Sequence, residues 1–199
     1  MIAELQKMEN VEKVMTLIEA FPEPRRTKVK EMMDGKIGES YFTAPASSRE
    51  SFHSAYPGGL CYHSLLVVAN LWRLVKDLCP DRYAKDQLAF VGLFHDLGKV
   101  GDGSVERYIP NRNSFQRTEY GKLYTINPDM NYMTVTDGGL FILQKYGIEI
   151  GYDEYLALRL ADGQYDPANS DYKMKEPELA LLVHWADMFA CKTEKSTAT

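Results

Sequence analysis

Residues 60–78 read LCYHSLLVVANLWRLVKDL, and residues 84–97 read AKDQLAFVGLFHDL. In the first, His63, Val67, Leu71, Leu74 and Leu78 recur at three- or four-residue intervals. That spacing lines side chains along one face of an α-helix, and Pro80 ends the run. In the second, Leu88, Val91 and His95 share a stripe, Asp96 follows His95 at once, and Gly98 is placed to terminate the helix. A third segment starts at Pro177, a favoured first-turn residue, and continues to about Lys192, with Ala180, Val183, Asp187 and Ala190 along its inward face. Three helices therefore each aim a histidine or a carboxylate at a core.

Further helices extend outward from these three. Residues 2–20 are amphipathic, through Ile2, Leu5, Met8, Val11, Val14, Met15 and Ile18, and Phe21-Pro22-Glu23-Pro24 stops them. A second helix is expected from Thr27 to just before Gly35 or Gly38, followed by a loop over 41–59. Helical spacing returns at 137–146 and 153–162. Between 101 and 134 the chain is rich in Tyr, Asn, Pro and Arg, and SFQRTEYGKLYTIN (114–127) reads as a small β-hairpin turning at Gly121-Lys122. The expected architecture is an all-α bundle with a β-hairpin insertion near 113–127. Residues 1–40 form a helical extension packed on a core of 41–193, and the tail 194–199 is frayed, giving one structural domain.

The 199 residues carry a net charge of −5, the wrong sign for a general nucleic-acid coat. The basic groups Arg25, Arg26, Lys28, Lys30 and Arg107, Arg112, Arg117 read as solvated surface. No apolar run approaches the roughly 20 residues that span a bilayer. The N-terminal stretch lacks the uninterrupted apolar core of a signal peptide. A cytoplasmic chain without membrane contact is expected. Cys61, Cys79 and Cys191 are widely spaced and suggest reduced, structural thiols.

Two of the four histidines, His63 and His95, lie on inward stripes, together with Asp187. A carboxylate facing a core is costly unless paired, hydrogen-bonded or metal-bound. Singly, each residue has a plainer account: a packed core histidine, a helix-end hydrogen bond for Asp96, an ion pair with His184 or a lysine for Asp187. Their joint order, His…His-Asp…Asp, makes a divalent cation site an equal alternative.

GGLCYHSLLVV (58–68), LFHDLGK (93–99) and LVHWADMF (182–189) resemble, in order, the three core motifs of the HD-domain phosphohydrolase superfamily. The resemblance covers roughly residues 44–193. PASSRESFHSAYPGGLCYHS (45–64) is also similar to the lead-in of HD domains in bacterial 3′–5′ exoribonucleases and conjugative relaxases. The resemblance implies an HD-type helical bundle whose metal ligands are His63, His95, Asp96 and Asp187. It implies a hydrolase that cleaves a phosphate ester or anhydride of a nucleotide with a metal-activated water. Many relatives place further histidines between the His-Asp pair and the final Asp; here VTDGGLF (135–141) and ALRLADGQY (157–165) offer only Asp137 and Asp162. One divalent cation (Mn, Fe, Co, Ni, Zn or Mg) is therefore expected in preference to two, with capping or turn roles for Asp137 and Asp162.

Asp96 is expected to orient the water as well as bind metal. Lys99 either neutralises substrate phosphate or complements a helix C-terminus, and Asp102 is a weaker acid–base candidate. His53, Arg112 and Arg117 are candidate substrate-binding residues, His53 alternatively organising its loop. His184 stands one turn before Asp187, as a hydrogen-bonding partner or core filler. Two other readings stay open: a phosphodiesterase acting on nucleic acid or a cyclic nucleotide, and a non-catalytic nucleotide-binding HD module. A homo-oligomer is compatible with all three.

Overall fold

The structure, a computed structural model, describes the backbone of residues 2–196 and the side chains of residues 6–194. Helix α1 (Ile2–Glu19) leads into α2 (Arg25–Met33) and α3 (Lys36–Tyr41). Two helices then carry the core, α4 (Gly59–Leu78) and α5 (Lys85–Phe94), and a 3-10 turn (Leu97–Val100) follows. A peripheral segment contains β1 (Tyr108–Pro110), α6 (Ser114–Tyr120) and β2 (Tyr124–Ile126). Helices α7 (Val135–Lys145), α8 (Tyr152–Arg159) and α9 (Glu178–Ser196) complete the bundle, with short 3-10 turns between α8 and α9. Among the described residues the fold is mostly helical with one small antiparallel strand pair.

Helix α4 packs against α9, α5 and α1, while α8 packs against α9 and α7. Val14, Ile18, Val29, Met32, Val67, Leu71, Phe90, Leu93, Val183 and Ala186 belong to one continuous buried cluster, so the N-terminal helices share their apolar faces with the helices that carry the motifs. Burial of this kind, at about 25 cal/mol per Å² of apolar surface, is the main favourable term. Two of the stripe residues, Met8 and Leu78, are instead exposed. Ile2 and Leu5 have side chains outside the described residues, as do the last five residues of the expected tail; the backbone of α9 is helical to Ser196.

Several local readings change. The helix expected over 84–97 ends at Phe94; His95 is still helical (φ −56°, ψ −33°), but Asp96 (φ −108°, ψ 16°) turns the chain. Gly98 is thus not a helix cap. It lies inside the 3-10 turn, where a β-carbon would stand 1.9 Å from the Val135 carbonyl oxygen. Gly139 faces the same contact from α7. The glycines of VTDGGLF let two backbones touch, and this seats the turn after Asp96 against α7. Residues 36–41, expected at the end of a helix or in a loop, form α3, and fully buried Tyr41 donates its hydroxyl to the Leu93 carbonyl, 2.9 Å away.

The strand pair is antiparallel, with Tyr108 opposite Ile126 and Pro110 opposite Tyr124. Its first strand lies upstream of the expected hairpin, and residues 114–120 between the strands are helical. Asn113 Oδ1 caps that helix by accepting from the Gln116 amide at 3.0 Å, and Gly121 (φ +56°) ends it. Arg25, expected at the surface, is half-buried and makes a two-pronged pair with buried Glu154 at 2.7 Å, tying α2 to α8.

Gly98→Ala should destabilise the protein by about 1–3 kcal/mol, the usual cost of overpacking against a backbone that cannot yield. A urea midpoint unchanged from wild type would show that the turn and α7 are not held in this close contact.

Candidate metal centre

His63 stands in the second turn of α4 and is fully buried. His95 and Asp96 come from the end of α5. Consecutive residues within a helix point about 100° apart, and the break after His95 lets both side chains turn to one place. Asp187 comes from the middle of α9, across from α4. His63 Nε2 lies 2.9 Å from Asp187 Oδ1 and 3.7 Å from Asp96 Oδ2; His95 Nε2 lies 3.4 Å from Asp96 Oδ2 and 3.8 Å from Asp187 Oδ1. Donors bound about 2.1 Å from one cation are roughly 3.0–3.4 Å apart; the separations of 2.9 and 3.4 Å lie at that range, and those of 3.7 and 3.8 Å would have to contract by a few tenths of an ångström around a cation.

The outer nitrogens decide which atoms face inward. His63 Nδ1 donates to Glu194 Oε1 at 2.8 Å, and His95 Nδ1 donates to the Gly92 carbonyl at 2.9 Å. A carbonyl and a carboxylate only accept, so each ring in its neutral form turns an Nε2 lone pair to the centre. Both Nε2 atoms are buried and lack a well-formed hydrogen bond, and Asp187 Oδ1 stands in ion-pair range of His63 Nε2. Two orphaned imidazole nitrogens beside two carboxylates are the donor set a divalent cation of borderline character takes. The residues fit a metal.

Glu194 was not anticipated. It is buried, accepts from Ser54 Oγ through Oε2, and orients His63 through Oε1. It stands seven residues after Asp187, two turns further along the same face of α9. That spacing is legible in the sequence, but it falls where the chain reads as a fraying tail.

Charges in the centre are strongly interdependent. Burial opposes the charge on His63, yet the carboxylates of Asp187 and Glu194 prevail and raise its pKa to about 9. Burial likewise works against Asp96 and Asp187. Lys99, His95 and His63 hold Asp96 well below the ordinary carboxylate value, and His63 and His95 bring Asp187 to about 2. Lys99 Nζ is 2.5 Å from Asp96 Oδ2. His53 stacks on His63 with ring centroids 4.5 Å apart, and burial, then the charges of His63 and Lys99, push its pKa down to about 4. Its Nε2 is 3.7 Å from Cys191 Sγ.

The remaining candidates lie further out. Asp162 is exposed beside the centre, its pKa raised by the protein packed around it and then by the charge of Asp96 and Asp187. It opens a 3-10 turn, and its neighbour Gly163 (φ +58°) lies flat against the His184 ring. His184 donates from Nδ1 to the Ala161 carbonyl at 2.8 Å and so positions that turn instead of Asp187. Asp137 is exposed in the first turn of α7, and Thr134, not Asp137, is the cap, accepting from the Asp137 amide at 3.0 Å. Asp102 accepts from Ser104, Val105 and Asn131 and is lowered to about 2, first by the Ser104 hydroxyl.

Arg112 and Arg117 are exposed, on the peripheral segment. Arg107 is buried; its Nη1 donates to the Met133 carbonyl at 2.9 Å and its guanidinium lies over Tyr132. The peripheral segment bears on the centre mainly through backbone: the Glu50 amide donates to the Gly121 carbonyl and Tyr124 to Ser48, which steadies the loop carrying His53. No helix among the described residues is long and apolar enough to cross a membrane. Comparisons of the chain with family models, curated proteins and solved structures return no match.

Glu194→Gln should weaken binding of a divalent cation about 10–100-fold, the usual effect of removing an orienting carboxylate. Protons compete for His63 Nε2 up to about pH 9, so wild-type affinity should climb as pH rises towards that value. In the variant the climb should level off at lower pH, because one of the two carboxylates that raise His63 is gone. Metal titrations at several pH values check both effects; equal curves for the two proteins would remove Glu194 from the centre. Without metal, His63 contributes stability that is complete below about pH 6.5 and lost as pH rises through about 9.

Proposed function

We propose that this chain is an HD-type, metal-dependent phosphohydrolase that cleaves a phosphate ester or anhydride of a nucleotide. The observation that carries the reading is the meeting of His63 Nε2, His95 Nε2, Asp96 and Asp187 around one point, with both imidazoles oriented from behind. The spacing of motifs in the sequence supports the same four residues. A divalent cation held there supplies a Lewis acid that activates water and polarises a phosphoryl oxygen.

The protein's own groups do the rest. Asp96 is ionised and accepts a hydrogen bond, which fixes the direction of an attacking water. Lys99 is charged and next to Asp96, where it offsets negative charge gathering on the phosphoryl oxygens. Glu194 and the Gly92 carbonyl keep the two imidazoles from rotating. His53 covers one side of the His63 ring and limits water there.

Protein purified without chelator should carry a transition metal at this centre, and the His95→Ala, Asp96→Ala double variant should lose it together with nucleotide hydrolysis. Lys99→Ala should keep the metal and lower kcat about 10²–10³-fold, the scale seen when one charge-stabilising group is removed. The reading fails if no nucleotide or phosphodiester is cleaved with Mn, Fe, Co, Ni, Zn or Mg, or if the double variant cleaves as fast as wild type.

A further inference from the structure

Beside the four donors lies a second group of ligating atoms, one that no motif indicates. Cys191 follows Asp187 by one turn of α9, and its thiol is 3.5 Å from Asp187 Oδ1. His53 enters from the loop before α4, and its Nε2 is 3.7 Å from the same sulfur. Donor atoms of His53, His63 and Cys191 all lie within 4.8 Å of one another. Around one tetrahedral, borderline-soft cation a thiolate sulfur stands roughly 3.5–3.6 Å from an imidazole nitrogen or carboxylate oxygen, close to both measured separations. The three residues come from three elements, the loop before α4, α4 and α9. Helix α9 packs along α4, and backbone bonds to the peripheral segment hold the residue 47–55 loop.

We propose that the centre has a second cation position, formed by His53 Nε2 and Cys191 Sγ with the carboxylate of Asp187 shared between the two positions. The inference rests on reading the first position as a cation site and extends it. The ligand class is a divalent cation that accepts sulfur, nitrogen and oxygen together, zinc or cobalt before magnesium or calcium. Occupancy needs the thiolate, so the thiol proton leaves for solvent as the cation enters. Asp137 and Asp162, the residues where the sequence suggests a second metal, take no part. A phosphoryl group entering between two cations would be gripped on both attacking and leaving oxygens, which favours phosphodiester or anhydride substrates.

Cobalt(II) tests the proposal, because a thiolate bound to cobalt gives a charge-transfer absorption in the near ultraviolet that nitrogen and oxygen ligands do not. The wild-type chain should bind two cobalt ions and show that band. Cys191→Ser should bind one and lose the band, and His53→Ala should do the same, while Cys79→Ser, a substitution of another free thiol, should keep two ions and the band. The wild-type spectrum reads the site even if a variant folds poorly. One cobalt ion without the band, unchanged by Cys191→Ser, overturns the second position and leaves the first standing. No bound cobalt at all overturns both positions, and with them the proposed function.

Discussion

Three carboxylates, Asp96, Asp187 and Glu194, are gathered with two imidazoles and one lysine in a largely buried space, and the rest of the site follows from how their charge is balanced. Leaving the imidazoles aside, the three acids against Lys99 leave two negative charges. A proton on His63 offsets one of them, which is why its pKa rises to about 9 although burial alone would lower it. A divalent cation would offset both, by replacing that proton at the nitrogen it occupies. A cation bound there would therefore compete with the proton for one atom, and the buried acids would favour both. Replacing the acids with apolar groups of the same shape would relieve the imbalance, but no donor set would remain.

Holding that balance requires the chain to bring ionic groups from three places without leaving gaps for water. The α4–α9 pairing does most of this, since His63 lies on one helix and Asp187 and Glu194 lie on the other. The end of α5 contributes His95 and Asp96 together, and only because the helix stops between them. The stop is maintained from outside by Gly98, whose missing side chain lets the Val135 carbonyl approach. Backbone-to-backbone contact thus turns a helix end into two adjacent side chains that face one centre.

The three long stripes were legible because burial selects apolar residues at helical spacing, and His63, His95 and Asp187 interrupt those stripes at positions where only a paired or ligating residue can stay. Residues that act at the edges of elements were not. Glu194 sits on the same face as Asp187 but beyond the last apolar repeat of α9, where charge and small residues read as a fraying end. Ser114–Tyr120 reads as one arm of a hairpin turning at Gly121-Lys122, yet Asn113 and Gly121 bracket it as a helix cap and terminator, and in so short a segment the caps outweigh intrinsic preference. Arg25 reads as one of four surface basic residues; its partner Glu154 is 129 residues away, and no local pattern joins them. The paired glycines 138 and 139 drew attention only to the neighbouring Asp137, whereas their role is to let the 3-10 turn after Asp96 approach.

On the proposed function, the attraction for a phosphate would have to come from a narrow set of charges. Arg112 and Arg117 face solvent, and Arg107 is committed to the Met133 carbonyl and the Tyr132 ring. Lys99 is left as the lysine in contact with the centre, and it is already shared with Asp96. With one cation bound, the buried groups sum to about zero, so an incoming dianionic phosphoryl group gains little from the field as a whole and depends on direct ligation. A second cation held by His53, the thiolate of Cys191 and the shared Asp187 would leave one positive charge in the same space. That difference in charge, more than any added contact, is what would let a chain of net charge −5 draw a polyanionic substrate inward.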